Sequence, residues 1–175
     1  MDVFVEQLIR RKGGVPYFLA VFGLTVGALA IMTASLLFLR GMPMVNALLI
    51  VGTGYGWWWL FRNLTVEYEY SVTNGDIDVD LIRGKSRRQR IVSVRGDRIE
   101  SLARYGGEDL TRFDRVVKAV TGDPGVELWI FTYQSKKNGR TAVVFQPEER
   151  VLTALIDGLP YLVQRDAKKQ MEQAL

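Results

Sequence analysis

VPYFLAVFGLTVGALAIMTASLLFL (Val15–Leu39), then Arg40-Gly41-Met42, then PMVNALLIVGTGYGWWWLF (Pro43–Phe61), is the stretch that decides how this chain is organised. The first run has no ionisable side chain apart from Tyr17. At 1.5 Å per residue it makes a helix of roughly 37 Å, enough to cross a bilayer. The second run is equally free of charge and gives roughly 28 Å, close to the ~30 Å hydrocarbon thickness. A linker this short between two such helices forces an antiparallel hairpin, so both flanks emerge on one side. The sequence therefore predicts an α+β membrane protein. It divides into an N-terminal interfacial segment (1–14), a two-helix transmembrane hairpin (15–62, with spans 15–39 and 43–61) and a cytoplasmic antiparallel β-sheet domain (63–175) with a C-terminal helix.

Outside the hairpin, about a hundred residues remain, which suits one small domain. The 175 residues include no cysteine and no histidine. Disulfides and thiolate metal sites are excluded, and the commonest metal ligand and neutral-pH base are missing. Orientation follows from the basic residues near the spans. Arg10, Arg11 and Lys12 precede the first and Arg62 follows the second, against Arg40 alone in the connection, so the positive-inside rule puts both termini in the cytoplasm at the plasma membrane. A cleaved signal peptide fits poorly, because the apolar run far exceeds a ~7 to 15 residue h-region and a second span follows it.

Within the hairpin, Gly23 and Gly27, and again Gly52 and Gly56, have the G-x-x-x-G spacing that lets backbones approach closely in lipid. The expectation is that the two helices pack on each other there, with a homodimer through one of these faces as the sharper alternative. Thr53-Gly54-Tyr55-Gly56 resembles an ion-filter tetrapeptide only superficially, since a filter needs a re-entrant loop buried in protein. Trp57, Trp58 and Trp59, with Tyr17 at the matching end of the first span, read as an interfacial aromatic belt. Asn46 reads as interfacial. Ahead of the hairpin, Val5, Leu8 and Ile9 have helical spacing and the charges gather at the end, so Met1 to Lys12 is either a short helix in the membrane interface or a frayed lead-in.

Beyond Arg62 the period changes. Val66, Tyr68, Tyr70 and Val72 alternate with Glu67, Glu69 and Ser71, Asn74-Gly75 turns the chain, and Ile77, Val79 and Leu81 alternate with Asp76, Asp78 and Asp80. Arg83 to Ser86 turns it again into a strand over Arg87 to Val94, giving an antiparallel meander. Charge is sorted along it: Glu67 to Asp80 holds five acidic residues and no basic one, while Arg83 to Arg104 holds eight basic residues. Cross-strand ion pairing is the economical reading, at 0.2 to 1 kcal/mol a pair by order of magnitude. The functional alternative is that Arg83, Lys85, Arg87, Arg88 and Arg90 rest on anionic lipid or on a partner, at up to ~1 kcal/mol per basic residue. Asp97 to Tyr105 is a short helix or a fourth strand, and Asp109 to Val120 a turn or two of helix. Val126 to Gln134 and Thr141 to Gln146 form a hairpin around Lys136-Lys137-Asn138-Gly139. A helix begins at Pro147-Glu148-Glu149 and buries Val151, Leu152, Leu155, Ile156 and Leu159, and Gly158 and Pro160 interrupt it before a second, more charged segment.

This order of elements resembles bacterial pleckstrin-homology-like (PH-like) domains of the membrane-anchored kind. MDVFVEQLIRRK (Met1–Lys12) and EYEYSVTNGDIDVDLIRGKSRRQRIVSV (Glu67–Val94) are more closely similar to an uncharacterised family of small two-span membrane proteins from Gram-positive anaerobic bacteria. The resemblance implies structure and assigns no activity, cofactor or catalytic residue. No P-loop, EF-hand, nucleophile-elbow or dinucleotide fingerprint is present. The sequence thus points to a non-catalytic, membrane-tethered adaptor or scaffold with no cofactor, catalytic or metal-binding residue. Its cytoplasmic domain binds a protein partner or the anionic membrane surface; the partners expected of the chain are the lipid bilayer and a protein partner or a homo-oligomer, with no nucleic acid or small-molecule substrate. The runner-up is a small oligomeric channel or transport accessory subunit.

Overall fold

The computed structural model describes residues 3–11, 13–64, 66–84 and 87–172. Lys12, Thr65 and the candidate contact Lys85 lie outside them. Among the described residues, eight strands form two four-stranded sheets. The first has the order β1 (Phe4–Arg10), β2 (Val66–Thr73), β3 (Asp76–Arg83), β4 (Arg87–Val94), antiparallel throughout. The second has the order β5 (Ile99–Arg104), β7 (Trp129–Ser135), β8 (Gly139–Phe145), β6 (Arg115–Ala119). Helices α1 (Val15–Phe38) and α2 (Pro43–Asn63) lie between β1 and β2, and α3 (Glu149–Ile156) and α4 (Tyr161–Glu172) follow the second sheet.

The expected interfacial helix is strand β1, paired with β2 from Phe4 opposite Thr73 to Arg10 opposite Glu67. Val5, Leu8 and Ile9 suggested a helix, but Val5, Gln7 and Ile9 also fit a strand, with Gln7 and Ile9 buried. A polar inward residue hid the alternation. Gln7 donates through Nε2 to the Gln146 carbonyl at 3.1 Å and accepts from the Glu148 amide at 2.7 Å, tying β1 to the β8–α3 junction. The sheet domain therefore includes residues before the helical pair, and α1 and α2 are an insertion between neighbouring strands.

Two further expectations change. Residues 115–119 are strand β6 rather than helix, and β6 pairs with β8 in parallel, so the sheets are not antiparallel throughout. The spacing of Val116, Val117 and Val120 mimicked a helical face because the segment is short and its β-branched residues suit either period. The open choice at Asp97 to Tyr105 resolves into a 3-10 turn at Gly96–Arg98 followed by β5.

The core lies between the sheets. Tyr70, Val72, Ile77 and Val79 from the first sheet meet Trp129, Phe131, Val143 and Phe145 from the second, and α3 adds Val151, Leu155 and Ile156. Phe145 packs edge-on against Phe131 at 5.2 Å and Tyr70 at 5.7 Å between ring centres. The Tyr70 hydroxyl donates to the Ala119 carbonyl and accepts from the Gln146 amide, and burial pushes its pKa well above the ordinary phenol value. A second cluster, Leu110, Phe113, Ile130, Ala142 and Val144, covers the other face of the second sheet. Burial on both faces explains why Trp129, Ile130, Phe131 and Tyr133 do not alternate with exposed polar residues; Thr132, the polar member of the run, is itself buried.

The β2–β3 turn uses Asn74 (φ 50°) and Gly75 (φ 86°), the two positive values a tight hairpin of this hand needs. Gly158, after α3, sits so close that a Cβ there would fall 2.2 Å from the Gly75 Cα. A Cβ on Gly96 would lie 2.6 Å from the Gly158 oxygen. Three glycines thus lock the far end of the first sheet to the end of α3.

Candidate functional site

At the opposite end of the first sheet, the strand register brings several arginines to the foot of the two long helices. Arg10 ends β1, opposite Glu67, and the Arg11 amide still donates to the Val66 carbonyl at 3.0 Å. Only residues 11–14 and 64–65 separate these strands from the helices. Val66 is opposite Arg83 and Arg83 is opposite Arg87, so two arginines occupy directly opposed positions across β3 and β4. Like charges directly opposite are unfavourable unless an anion is shared. From the helix side, Arg62 Nε donates to the Gly84 carbonyl at 3.3 Å and its guanidinium lies over the Trp58 ring at 5.5 Å. Arg62 thus links the foot of α2 to Gly84 at the end of β3. Among the described residues, Arg11, Arg62, Arg83 and Arg87 take part in no ion pair, and Arg83 and Arg87 are exposed.

The other two predicted arginines behave differently. Arg88 is paired with Glu69 and lies 3.7 Å from Asp80, and Arg90 contacts Asp78 at 3.0 Å and Asp80 at 3.1 Å. Glu69 and Asp80 are buried beneath them. The Asp80 carboxylate, with Asp78 second, raises the Arg90 pKa above its ordinary value. A register shift arranges this: Val79 faces Val92 but Asp80 faces Arg90, so Ile91 is an extra residue that lets Val92 point inward and Arg90 outward. Cross-strand pairing, the economical reading of the sorted charges, accounts for Arg88 and Arg90. It does not account for Arg83 and Arg87.

The long helices pair with each other at two polar points. Ser35 Oγ bonds Asn46 Oδ1 at 2.8 Å near the connection, and Trp57 Nε1 donates to Thr25 Oγ1 at 3.1 Å nearer the foot. Asn46 therefore belongs to the helix contact. A Cβ on Gly23, Gly27, Gly52 or Gly56 would meet nothing within 4 Å, so the two backbones do not approach closely at these glycines. Gly23, Gly27 and Gly56 instead line an open groove of about 360 Å³ between the helices. Of the belt residues, Trp57 stacks on Phe61 at 5.5 Å, Tyr17 is half-buried, and Trp58 and Trp59 are exposed. Replacing Ser35 with Ala and Thr25 with Val together should weaken the helix pairing by about 1 kcal/mol, at ~0.6 per interhelical bond, read by unfolding in detergent. An unchanged midpoint would mean these bonds are not made.

Both long helices are coated with apolar side chains, Ser35 being their one buried residue among those described. The segment Tyr17–Phe38 is long and apolar enough to cross a membrane, with mean hydropathy 2.1, and it is the one such described helix. Four glycine, threonine and tyrosine positions from Gly52 to Tyr55 and the tryptophan run dilute α2. Elsewhere, a shallow hollow of about 550 Å³ lies by Tyr105, Phe113, Glu108 and Asp109, where hydrogen bonds from Thr111 hold the Asp109 carboxyl below its usual pKa. It brings together no obvious catalytic set.

Residues 1–164 match the model of a bacterial PH-like domain family, DUF6106. The chain belongs to this family. The match spans both the sheets and the inserted helices, so the helical insertion is part of what the family model covers. No curated protein and no solved structure is significantly similar to the chain. The PH-like, α+β architecture expected from the order of elements is thereby established, and PH-like domains are generally non-catalytic.

Proposed function

We propose that this PH-like chain is a non-catalytic adaptor of the plasma membrane, tethered by α1 and α2 as a transmembrane hairpin with both flanks cytoplasmic, and that its sheet domain sits on the anionic inner leaflet. The observation that carries this reading is the β1–β2 ladder closing across the two ends of the helical pair. A domain on a flexible tether would sample every orientation. Here only residues 11–14 and 64–65 join the helical pair to two paired strands, so the arginine-bearing end stays close to headgroup level. Arg11, Arg62, Arg83 and Arg87 then supply up to about 1 kcal/mol each against an anionic surface. Ser35 with Asn46, and Thr25 with Trp57, are engaged with each other across the helix pair, which supports a tether rather than a pore.

The test uses the full chain reconstituted in vesicles of phosphatidylcholine, with and without phosphatidylglycerol. Tryptic cleavage at Arg83 and Arg87 should be slow on the anionic vesicles, faster on neutral ones, and faster again as salt is raised. Equal cleavage on both vesicle types at low salt would refute the surface contact.

A further inference from the structure

The groove between α1 and α2 has two features that together specify its occupant. It is apolar and about 360 Å³ in volume, lined by Gly27, Ile31, Thr53, Gly56, Trp57 and Leu60. From Gly23 to Ile31 it extends about 12 Å along the helix axis, and Leu60 lies two residues, about 3 Å of rise, from Arg62. The groove therefore opens near the level of the arginine foot. A third helix of ~10 Å diameter occupies roughly 900 Å³ over that length, so it could rest on the rim but not fill the groove. A single extended hydrocarbon chain is narrow enough. At the foot, Arg83 faces Arg87 with no described carboxylate paired to either, a local excess of positive charge that an anion would relieve.

We propose that the groove holds one acyl chain of an anionic phospholipid whose headgroup phosphate rests among Arg11, Arg62, Arg83 and Arg87. This rests on the membrane reading above and deepens it: the leaflet contact becomes a site for an individual lipid. In hydrocarbon, an open groove of this kind is filled by lipid or protein, and the charge at its mouth selects the sign of the headgroup. Glu67, opposite Arg10, is the acidic group nearest in register and limits the positive patch on the β1 side.

The experiment is native mass spectrometry of the full chain extracted in mild detergent. The expected result is a bound mass of one phospholipid per chain, of the anionic class. Gly27→Leu with Gly56→Leu fills the groove, and a Cβ at either position meets no other part of the chain within 4 Å. Lipid retention should fall at least about tenfold, equivalent to losing roughly two buried methylenes. Ala28→Leu on the same wall repeats the test if the double variant fails to fold. Arg83→Glu with Arg87→Glu should leave the groove able to take a chain but replace the anionic lipid with a zwitterionic one. A lipid-free wild-type chain, or groove-filled variants that retain lipid unchanged, would overturn the site. So would groove filling that converts a dimer to a monomer without altering lipid, which assigns the groove to a second copy. A chain that stays in solution without detergent would instead refute the membrane reading itself.

Discussion

Gly158→Ala should lower the unfolding free energy by about 3 kcal/mol, the upper end of the range for forcing atoms into a packed site. The added Cβ would lie 2.2 Å from the Gly75 Cα, and the neighbouring atoms within reach are also backbone, so no side-chain rotation relieves the contact. The turn cannot yield easily either. Asn74 exchanges two hydrogen bonds with Val3, and Asp76 accepts from the Gly96 amide at 3.0 Å, so displacing Gly75 disturbs β1, β3 and β5 together. A thermal midpoint lower by about 6–12 °C is expected, with Gly106→Ala, where a Cβ meets nothing, as the near-neutral control. A shift below ~2 °C would show that α3 does not abut the turn in this way.

Arg88→Ala has the second largest expected effect, a loss of about 1–3 kcal/mol. Glu69 is only 7% exposed and Arg88 is its partner, so the substitution strands a buried carboxylate. The figure stays below that of a fully buried pair because more than half of the Arg88 side chain is in water. Glu69→Gln in the same chain should recover part of the loss, and the double-mutant cycle gives the coupling directly. Arg83→Ala should change stability by no more than ~0.5 kcal/mol. Equal losses for Arg83→Ala and Arg88→Ala would mean that the outer-face pairs carry no special weight, and the division between structural and surface arginines would fall.

That division marks the limit of what the sequence could reveal. The alternation from Val66 to Leu81 and the Asn-Gly turns located β2, β3 and the β7–β8 hairpin, because period and turn chemistry agree there. The sorted charges announced cross-strand pairing, but not which arginines were used. Arg90 and Val92 have the same parity, yet one faces outward and the other inward. Only a bulge reconciles them, and the adjacent apolar pair Ile91-Val92 was its one trace. Strand β1 was hidden because its partner lies more than fifty residues away across the helical insertion, so no local turn signal points to it. Gln7, polar but buried, made the inward face look mixed. The glycine spacing in the helices was legible, but its direction was not: spacing says that a face is smooth, and the Ser35–Asn46 and Trp57–Thr25 bonds decide which faces meet. Arg62 was visible as a flanking charge, though its contact with the β3–β4 turn depends on strand order.

Topology is tested most directly by single cysteines in intact cells, since the chain has none of its own to confuse the label. Gly41→Cys in the helix connection and Lys137→Cys in the β7–β8 turn are both at exposed positions. With a membrane-impermeant maleimide, Gly41→Cys should label from outside, and Lys137→Cys only after the cells are broken. Labelling of Lys137→Cys in intact cells, or equal protection of both positions, would contradict a helical hairpin that crosses the membrane and holds the sheet domain on its inner face.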